Sequence, residues 1–290
     1  MKKRILVTGA SGKLGNFLIR YLRKFHLVFH LGYKQKKNGI INTNLVNQNQ
    51  LQKILSKIRP NIIIHLAAIT DVDKCENNFE QAYKLNVEGT YNIVNWILKR
   101  KKVRLIYIST DQVYNSNRFS KEEDVRPSNT YSVTKYLAEK IVENVSNHVI
   151  IRTNFFGYFP NHKYSFINWF LDEIRKKKKI NLVSDIYFNP IYIRDLSEVL
   201  NKIIFRENIK GTFNIGSKDK LSKGMFLLKF AELIKANKNK FKFVASKNLN
   251  LKAFRPSNMT MSIKKIEKTM RINLPKLNEG IKKLKTDIVF

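Results

Sequence analysis

Tyr131 and Lys135 stand four residues apart in the segment YSVTK, 131–135. Residues at this spacing lie on one face of an α-helix, and the apolar pattern over 131–142 predicts a helix here. A nearby ammonium group stabilises a phenolate, so we expect Lys135 to lower the pKa of Tyr131 towards neutrality. The phenol could then exchange a proton with a carbonyl or alcohol oxygen near pH 7. An exposed tyrosine–lysine pair is the alternative interpretation of this motif taken by itself.

A hydroxyl and a carboxylate follow a predicted strand. The apolar run 105–108 predicts the strand, and Ser109, Thr110 and Asp111 come directly after it. In an open parallel sheet, ligands bind beyond the carboxyl ends of the strands. Thr110 could therefore reach the same oxygen as Tyr131. For a single hydroxyl residue, a turn at the end of a strand is the alternative.

The segment TGASGKLG, 8–15, lies between a predicted strand at 5–7 and a helix with one apolar stripe. Glycines let the backbone approach a pyrophosphate closely, and the start of the helix offers free N–H groups and a positive dipole. Gly9, Gly12 and Gly15 give the spacing G-x-x-G-x-x-G rather than G-x-G-x-x-G. The position predicts a dinucleotide-binding turn, with a tight structural turn as the alternative.

The residues after the second predicted strand, 27–31, bear on the choice of dinucleotide. NAD enzymes generally place a carboxylate against the ribose hydroxyls, whereas NADP enzymes place a cation against the 2′-phosphate. Here Lys34, Lys36 and Lys37 follow the strand without an acidic residue. The sequence therefore favours NADP(H), with NAD(H) as the alternative.

These motifs need a parallel sheet to position them. Short apolar runs at 5–7, 27–31, 62–64, 105–108 and 148–151 alternate with longer amphipathic segments, among them a helix predicted over 79–98. This order predicts a Rossmann-type, doubly wound α/β fold. From Thr153 onward the alternation is lost and aromatic residues accumulate up to Phe170. We predict an NADP(H)-binding domain over 1–153, to which the chain returns around 180–205, and a smaller α/β substrate-binding lobe mainly over 154–290.

The chain carries 55 Lys and Arg against 22 Asp and Glu, a net charge of +33. Such a surplus raises nucleic acid or an anionic membrane as partners. The lysines are spread over predicted turns and helix ends without a recognition motif. The abundance of Lys, Asn, Ile and Phe together is more typical of an AT-rich genome than of a binding face. We therefore predict neither partner. We interpret the charge as background that attracts anionic ligands.

The cysteine and histidine content restricts the class of protein further. Cys75 is the only cysteine, so no disulfide can form within the chain, and we expect it to be incidental. His26 and His30 fall on different predicted elements, so no metal site is expected. The short apolar runs are insufficient for a signal peptide or a membrane helix. These features predict a cytoplasmic protein.

Five segments taken together resemble the extended short-chain dehydrogenase/reductases, and the resemblance covers essentially the whole chain. Among these, the dTDP-4-dehydrorhamnose reductase family and its sugar-nucleotide relatives are the most similar. That family has a Ser-Thr-Asp triplet as at 109–111 and an Arg-Pro-x-Asn as at 255–258. The five segments are TGASGKLG (8–15), HLAA (65–68), NVEGTYN (86–92), STDQVY (109–114) and YSVTK (131–135).

The resemblance implies roles for particular residues. Tyr131 would donate the proton, and Thr110 would face the reacting oxygen. Lys135 would lower the pKa of Tyr131 and bind the ribose. Asn86 would anchor the active-site backbone and a water. The residues expected to line the cofactor are Gly9, Gly12, Lys13, Leu14, Gly15, Lys34, Asn44, Leu45, Ala67, Ala68, Tyr131 and Lys135. The residues expected to contact the substrate are Thr110, Asp111, Phe155 and Arg255.

Two positions depart from the family pattern. Asn44 stands where relatives commonly carry an aspartate that contacts the adenine. Phe155 stands where the rhamnose enzymes tend to carry a tryptophan, which leaves the identity of the sugar open.

The activity implied by the resemblance is NADPH-dependent reduction of the C4 keto group of a nucleotide-linked 4-keto-6-deoxy sugar. Three alternatives stay open. One is a nucleotide-sugar epimerase or dehydratase of the same superfamily, and another is a non-catalytic, NADP-binding subunit like the regulatory subunit of methionine adenosyltransferase. The third, a nucleic-acid binder, is suggested by the charge alone. The sequence leaves open the oligomeric state, including a homodimer, and the product stereochemistry.

Overall fold

The computed structural model describes residues 2–33, 39–100, 102–116, 118–160, 162 and 165–288. The chain forms two compact units. Unit 1 comprises Met1–Val113, Pro127–Arg152 and Ser197–Phe213, and unit 2 comprises Tyr114–Arg126, Thr153–Leu196 and Asn214–Phe290. Each unit is therefore assembled from three separate stretches of chain.

The strands are β1 (Arg4–Thr8), β2 (Leu27–Gly32), β3 (Ile41–Asn42), β4 (Ile62–His65), β5 (Arg104–Ile108), β6 (His148–Thr153), β7 (Phe155–Phe156), β8 (Ile180–Val183), β9 (Tyr187–Phe188), β10 (Ile191–Tyr192), β11 (Gly211–Ile215), β12 (Leu221–Ser222) and β13 (Phe241–Val244). The α-helices are α1 (Lys13–Leu22), α2 (Gln48–Ile58), α3 (Val72–Asn77), α4 (Phe79–Tyr83), α5 (Gly89–Leu98), α6 (Thr130–Val142), α7 (Phe166–Arg175), α8 (Ile193–Phe205), α9 (Lys223–Leu233), α10 (Lys264–Met270) and α11 (Leu277–Thr286).

A seven-stranded sheet in the order β11-β6-β5-β4-β1-β2-β3 forms the centre of unit 1, with the ends of β6 and β11 assigned to unit 2. The pairs β1–β2, β1–β4, β2–β3, β4–β5 and β5–β6 are parallel. From β1 the chain moves outward to β3 on one side and then, from β4, outward on the other. The doubly wound prediction is confirmed. In such a sheet ligands bind where the order reverses, at the carboxyl ends of β1 and β4.

The inner strands are apolar runs because helices cover both faces of the sheet. The side chains of Ile5–Val7 and Ile62–Ile64 are almost completely buried. In α1, Leu14, Leu18 and Leu22 are buried at positions that form one apolar stripe. This packing holds the end of β1 and the start of α1 in fixed positions, and the glycine turn lies between them.

The helix predicted over 79–98 is interrupted by a π-helical turn. The segment runs through α4, a π turn at Lys84–Glu88, and α5. A π turn accommodates one extra residue and is frequent at functional sites. Asn86 lies within this turn and is buried. The apolar periodicity alone predicts one regular helix, so it missed this change of helical geometry.

The described residues of unit 2 form three two-stranded sheets and an aromatic core. The strand pairs are β7–β10 and β8–β13, both parallel, and β9–β12, which is antiparallel. Phe226 contacts Phe156 and Phe188 with ring centroids 4.9 and 5.6 Å apart. Aromatic residues that accumulate after Thr153 therefore form part of the core of this unit, although Trp169 is 37% exposed.

No helix within the described ranges has both the length and the apolar character needed to cross a membrane. The same part of the chain contains no cluster of three or more His, Cys, Asp or Glu side chains placed to hold a metal ion.

Candidate functional site

The glycine turn brings backbone directly against backbone. Gly9 has a φ of 69°, and a Cβ at Gly9 would lie 2.8 Å from the Ala67 nitrogen. A Cβ at Gly15 would lie 2.2 Å from the Gly9 carbonyl oxygen. Side chains at either position would fill the turn, so the glycines are required by packing.

The start of α1 is suited to a phosphate group. Gly12 is the N-cap residue and provides no side-chain hydrogen bond to the helix. The first-turn N–H groups of a helix have no partner within it, and the helix dipole adds positive potential there. A pyrophosphate fits this arrangement because its oxygens accept hydrogen bonds from backbone N–H groups. No capping side chain at Gly12 competes for those groups.

Gly15→Ala is expected to lower the free energy of unfolding by about 1–3 kcal/mol, as overpacking typically does. The added methyl group would force the Gly9 carbonyl away from α1. Gly12→Ala is the matched control, because its Cβ would lie 3.2 Å from the same oxygen and Gly12 is exposed. Urea unfolding of both variants measures the difference. Equal losses would contradict the packing argument.

The other residues assigned to the cofactor differ in what they offer. Leu14 and Leu45 are buried, so their backbones rather than their side chains are available to a ligand. The Asn44 side-chain oxygen accepts a hydrogen bond from the Val46 nitrogen at 3.1 Å, so this amide shapes its own turn. Lys13 is half-buried, and burial lowers its pKa.

Ala67 and Ala68 follow β4 and are partly exposed. The position assigned to Lys34, with Lys36 and Lys37, lies outside the described residues.

Helix α6 begins immediately before the tyrosine–lysine pair. The Asn129 side chain accepts from the Ser132 nitrogen at 2.9 Å, and the Ser132 hydroxyl accepts from the Asn129 nitrogen at 3.1 Å. This capping box fixes the first turn, which contains Tyr131. The Lys135 Nζ donates to the Ile108 carbonyl at 2.8 Å. The helix therefore brings Lys135 to the carboxyl end of β5.

Thr110 and Asp111 lie where β5 ends and are buried. The Thr110 hydroxyl donates to Asp111 Oδ1 at 3.3 Å and accepts from the Gln112 nitrogen at 3.2 Å. The Thr110 side chain is close enough to the Tyr131 phenol to influence its pKa. The structure thus brings Thr110, Asp111, Tyr131 and Lys135 together in unit 1.

The predicted effect of Lys135 on Tyr131 is wrong for this structure. Burial raises the pKa of Tyr131 well above its ordinary value, the nearby Thr110 side chain partly opposes this, and the charge of Asp111 adds to it. Burial also lowers the pKa of Lys135 to about 7. The ammonium form of Lys135 is therefore less favoured at neutral pH than that of an exposed lysine, and its Nζ is directed to the Ile108 carbonyl. Tyr131 stays protonated at neutral pH, which is the state a proton donor needs.

Asn86 connects the segment after β4 to α6. Its Oδ1 accepts from the Ile69 nitrogen at 2.8 Å, and its Nδ2 donates to the Ile69 carbonyl at 3.2 Å and to Thr134 Oγ1 at 3.0 Å. Thr134 lies between Tyr131 and Lys135 in the sequence. These contacts hold the segment after β4 against α6, and the anchoring role assigned to Asn86 in the active site stays a prediction.

A buried ion pair supports the site and was missed from the sequence. Glu139 of α6 accepts from Arg152 Nη2 at 2.6 Å and from its Nε at 3.0 Å. The Ser109 hydroxyl also donates to Glu139. The pair therefore ties α6 to the ends of β5 and β6. The available signal was the position of Glu139, which is four residues after Lys135 on the same helical face.

Phe155 and Arg255, the other residues assigned to the substrate, belong to unit 2. Phe155 lies on β7 and meets Phe159 edge-to-face, with ring centroids 6.3 Å apart. Arg255 Nη1 donates to the Ala253 carbonyl at 3.1 Å. Their assignment to the substrate stays a prediction.

Cys75 is buried in unit 1. Burial, with the charges of Asp71 and Glu76, raises the pKa of its thiol to about 11. The side chain is therefore a neutral thiol at pH 7 and a poor nucleophile.

The sheet order, the glycine turn after β1 and the Tyr131–Lys135 pair on α6 define a short-chain dehydrogenase/reductase fold. Residues 2–289 match the family model described as RmlD substrate binding domain, and the chain belongs to this family.

Known relatives include a dTDP-4-dehydrorhamnose reductase and a subunit of methionine adenosyltransferase. The chain is 28% identical over 216 residues to dTDP-4-dehydrorhamnose reductase of Aggregatibacter actinomycetemcomitans. The aligned residues make up 71% of this chain and 70% of that protein. It is 27% identical to methionine adenosyltransferase 2 subunit beta of Bos taurus, over 76% of this chain and 69% of that protein. The crystal structure of dTDP-4-dehydrorhamnose reductase from Bacillus anthracis in complex with NADP is 26% identical. It has a TM-score of 0.89 and covers 99% of this chain and 100% of that one.

Proposed function

We propose that the protein catalyses NADPH-dependent reduction of the C4 keto group of a nucleotide-linked 4-keto-6-deoxy sugar. The observation that carries the proposal is the buried Tyr131 close to Thr110, with Lys135 one helical turn further along α6 and hydrogen-bonded to the end of β5. Membership of the RmlD family and the likeness to a reductase solved with NADP support it.

The cofactor would be held mainly by backbone. The pyrophosphate would bind at Gly9–Gly15 and the start of α1, and the Ala67–Ala68 segment would border the same site. Lys135 would bind the ribose, and Asn44 and Leu45 would border the adenine. Lys34, Lys36 and Lys37 are the cations proposed for the 2′-phosphate, and NAD(H) stays the alternative. Lys13 would border the cofactor. When bound, a reduced nicotinamide supplies a hydride to the carbonyl carbon of the sugar.

Tyr131 would supply the proton. As the carbonyl carbon gains the hydride, its oxygen gains electron density and takes the phenolic proton, so that a hydroxyl group forms. The Thr110 hydroxyl would orient the same oxygen. Lys135 would stabilise the charge left on Tyr131 until solvent restores the proton. A positioned acid of this kind typically contributes about 10²–10⁴-fold to the rate.

The substrate contacts are proposals carried by the family resemblance. Asp111 and Phe155 would contact the sugar, and Arg255 would pair with the diphosphate, since a guanidinium forms two parallel hydrogen bonds with such an anion. Residues 1–153 would then mainly bind the cofactor and 154–290 mainly the substrate.

Purified protein incubated with dTDP-4-keto-6-deoxy sugars and each reduced nicotinamide in turn tests the proposal. The expected result is stoichiometric oxidation of NADPH, faster than that of NADH, and a C4 hydroxyl in the product by NMR. Conversion of the sugar without net NADPH consumption would indicate an epimerase or dehydratase instead. Absence of any conversion with NADPH bound would overturn the proposal.

A non-catalytic regulatory subunit is the second candidate, favoured by the likeness to methionine adenosyltransferase 2 subunit beta. Its test is pull-down of purified methionine adenosyltransferase by this protein. Stable binding together with no turnover would establish this role, whereas turnover without binding would exclude it.

A further inference from the structure

His65 is a fully buried polar residue at the end of β4 that the proposed mechanism does not use. It lies between two hydroxyl groups. Its Nδ1 is 2.7 Å from Thr8 Oγ1, and its Nε2 is 3.0 Å from Thr90 Oγ1. Thr8 ends β1, immediately before the glycine turn, and Thr90 follows the π turn that contains Asn86.

The direction of each hydrogen bond follows from the number of donors. Thr8 Oγ1 accepts from both the Leu66 and the Ala67 nitrogen, each at 3.2 Å. A hydroxyl oxygen has two acceptor positions, so its own hydrogen is left to donate to His65 Nδ1. Because that nitrogen accepts, the imidazole carries its hydrogen on Nε2 and donates it to Thr90.

The chain of hydrogen bonds continues to the catalytic helix. Thr90 Oγ1 donates to the Asn86 carbonyl at 2.6 Å. The side chain of the same Asn86 donates to Thr134 Oγ1 at 3.0 Å, and Thr134 donates to the Tyr131 carbonyl at 2.9 Å. Thr8, His65, Thr90, Asn86 and Thr134 are each at most 1% exposed. We call these five residues the polar relay.

Water has little access to the relay, so leaving one of its groups unpaired is costly. Burial, with a smaller effect of the Lys135 charge, lowers the pKa of His65 to about 3. The imidazole is therefore neutral at physiological pH, and its tautomer is set by Thr8.

We propose that His65, as the neutral Nε2–H tautomer, is a positioning residue that fixes the glycine turn of β1 relative to Tyr131 on α6. The effect of this positioning on the reaction rate rests on the proposed function. The turn would hold the pyrophosphate and Tyr131 would meet the reacting oxygen, so the relay sets the register between cofactor and proton donor. Misplacement of such groups by about 1 Å can lower a rate on the order of 100-fold.

Thr90→Val and Thr90→Ser form the matched test. Valine preserves the shape of threonine without its hydroxyl, whereas serine retains the hydroxyl. We expect Thr90→Val to lower kcat about tenfold or more and to change the KM for the sugar and the Kd for NADPH by less than about threefold. We expect Thr90→Ser to retain most of kcat. Equal kcat for Thr90→Val and the unchanged protein would overturn the proposal.

Thr43→Val controls for the loss of any buried hydroxyl. Thr43 is buried in unit 1, and its Oγ1 has no hydrogen-bond partner among the described residues. Its kcat is expected to stay unchanged. A loss equal to that of Thr90→Val would show that the effect is not specific to the relay.

A spectroscopic measurement separates this inference from the proposed function. The ¹⁵N chemical shifts of the His65 ring, recorded between pH 5 and 8, report its tautomer without any turnover. Nε2–H at every pH, with a shift of that nitrogen in Thr90→Val, is the expected result. The Nδ1–H tautomer or a protonated ring would overturn the inference, even if the protein is an active reductase. If the protein is inactive but shows the Nε2–H tautomer, the function fails and the structural assignment stands.

Discussion

Tyr131→Phe is expected to lower kcat for the proposed reduction by about 10²–10⁴-fold. Phenylalanine keeps the ring in its buried position but has no proton to donate to the developing hydroxyl group. The Kd for NADPH is expected to change little, because the glycine turn and α1 are unaltered. Steady-state kinetics with the keto sugar and fluorescence titration with NADPH measure the two effects separately.

Tyr136→Phe is the matched control for this variant. Tyr136 lies on the same helix, α6, but is only half-buried. Its kcat is expected to stay within about twofold of the unchanged protein, since surface changes away from special features have small effects. Full turnover by Tyr131→Phe would contradict the role of Tyr131 as proton donor.

Arg152→Met is expected to lower the free energy of unfolding by about 3–5 kcal/mol. The substitution leaves Glu139 buried, charged and without the guanidinium that now donates to both of its oxygens. Because Glu139 also accepts from Ser109, we expect the end of β5 to move as well, with a loss of turnover. Urea unfolding and kinetics on the same preparation measure both losses.

Two comparisons distinguish a desolvated ion pair from a surface one. The double variant Glu139→Leu/Arg152→Met should be more stable than Arg152→Met, because it removes the uncompensated charge. Lys140→Met breaks the exposed pair with Glu143 on the same helix, and its expected cost is below about 1 kcal/mol. Similar losses for Arg152→Met and Lys140→Met would contradict the argument.

Local spacing was sufficient to predict the parts of the site that lie within one element or one turn. The glycine turn follows from three glycines between a strand and a helix. The Tyr131–Lys135 face follows from helical periodicity, and the position of Thr110 follows from the end of β5. In each case the geometry of one element sets the position of the side chain.

What the sequence did not predict depends on contacts between distant segments. His65 interrupts an apolar run, and only the folded sheet places it between Thr8 and Thr90. The pairing of Glu139 with Arg152 requires α6 to lie against β6. The direction of the Tyr131 pKa shift was wrong because motif spacing does not include burial, which is its largest cause.

Lys135, which is buried, links the site to the acid–base behaviour of the whole chain. The pKa of Lys135 is about 7 in the folded protein and about 10.4 in an unfolded chain. Between these values the unfolded chain holds a proton that the folded protein has released, so this group makes folding more favourable as pH rises through that window, by at most about 1.4 kcal/mol per pH unit. Below pH 7 the full cost of burying the charge is present. A negatively charged ligand near Lys135 would favour its protonated form, so binding at this site and proton uptake from solvent are coupled near neutral pH.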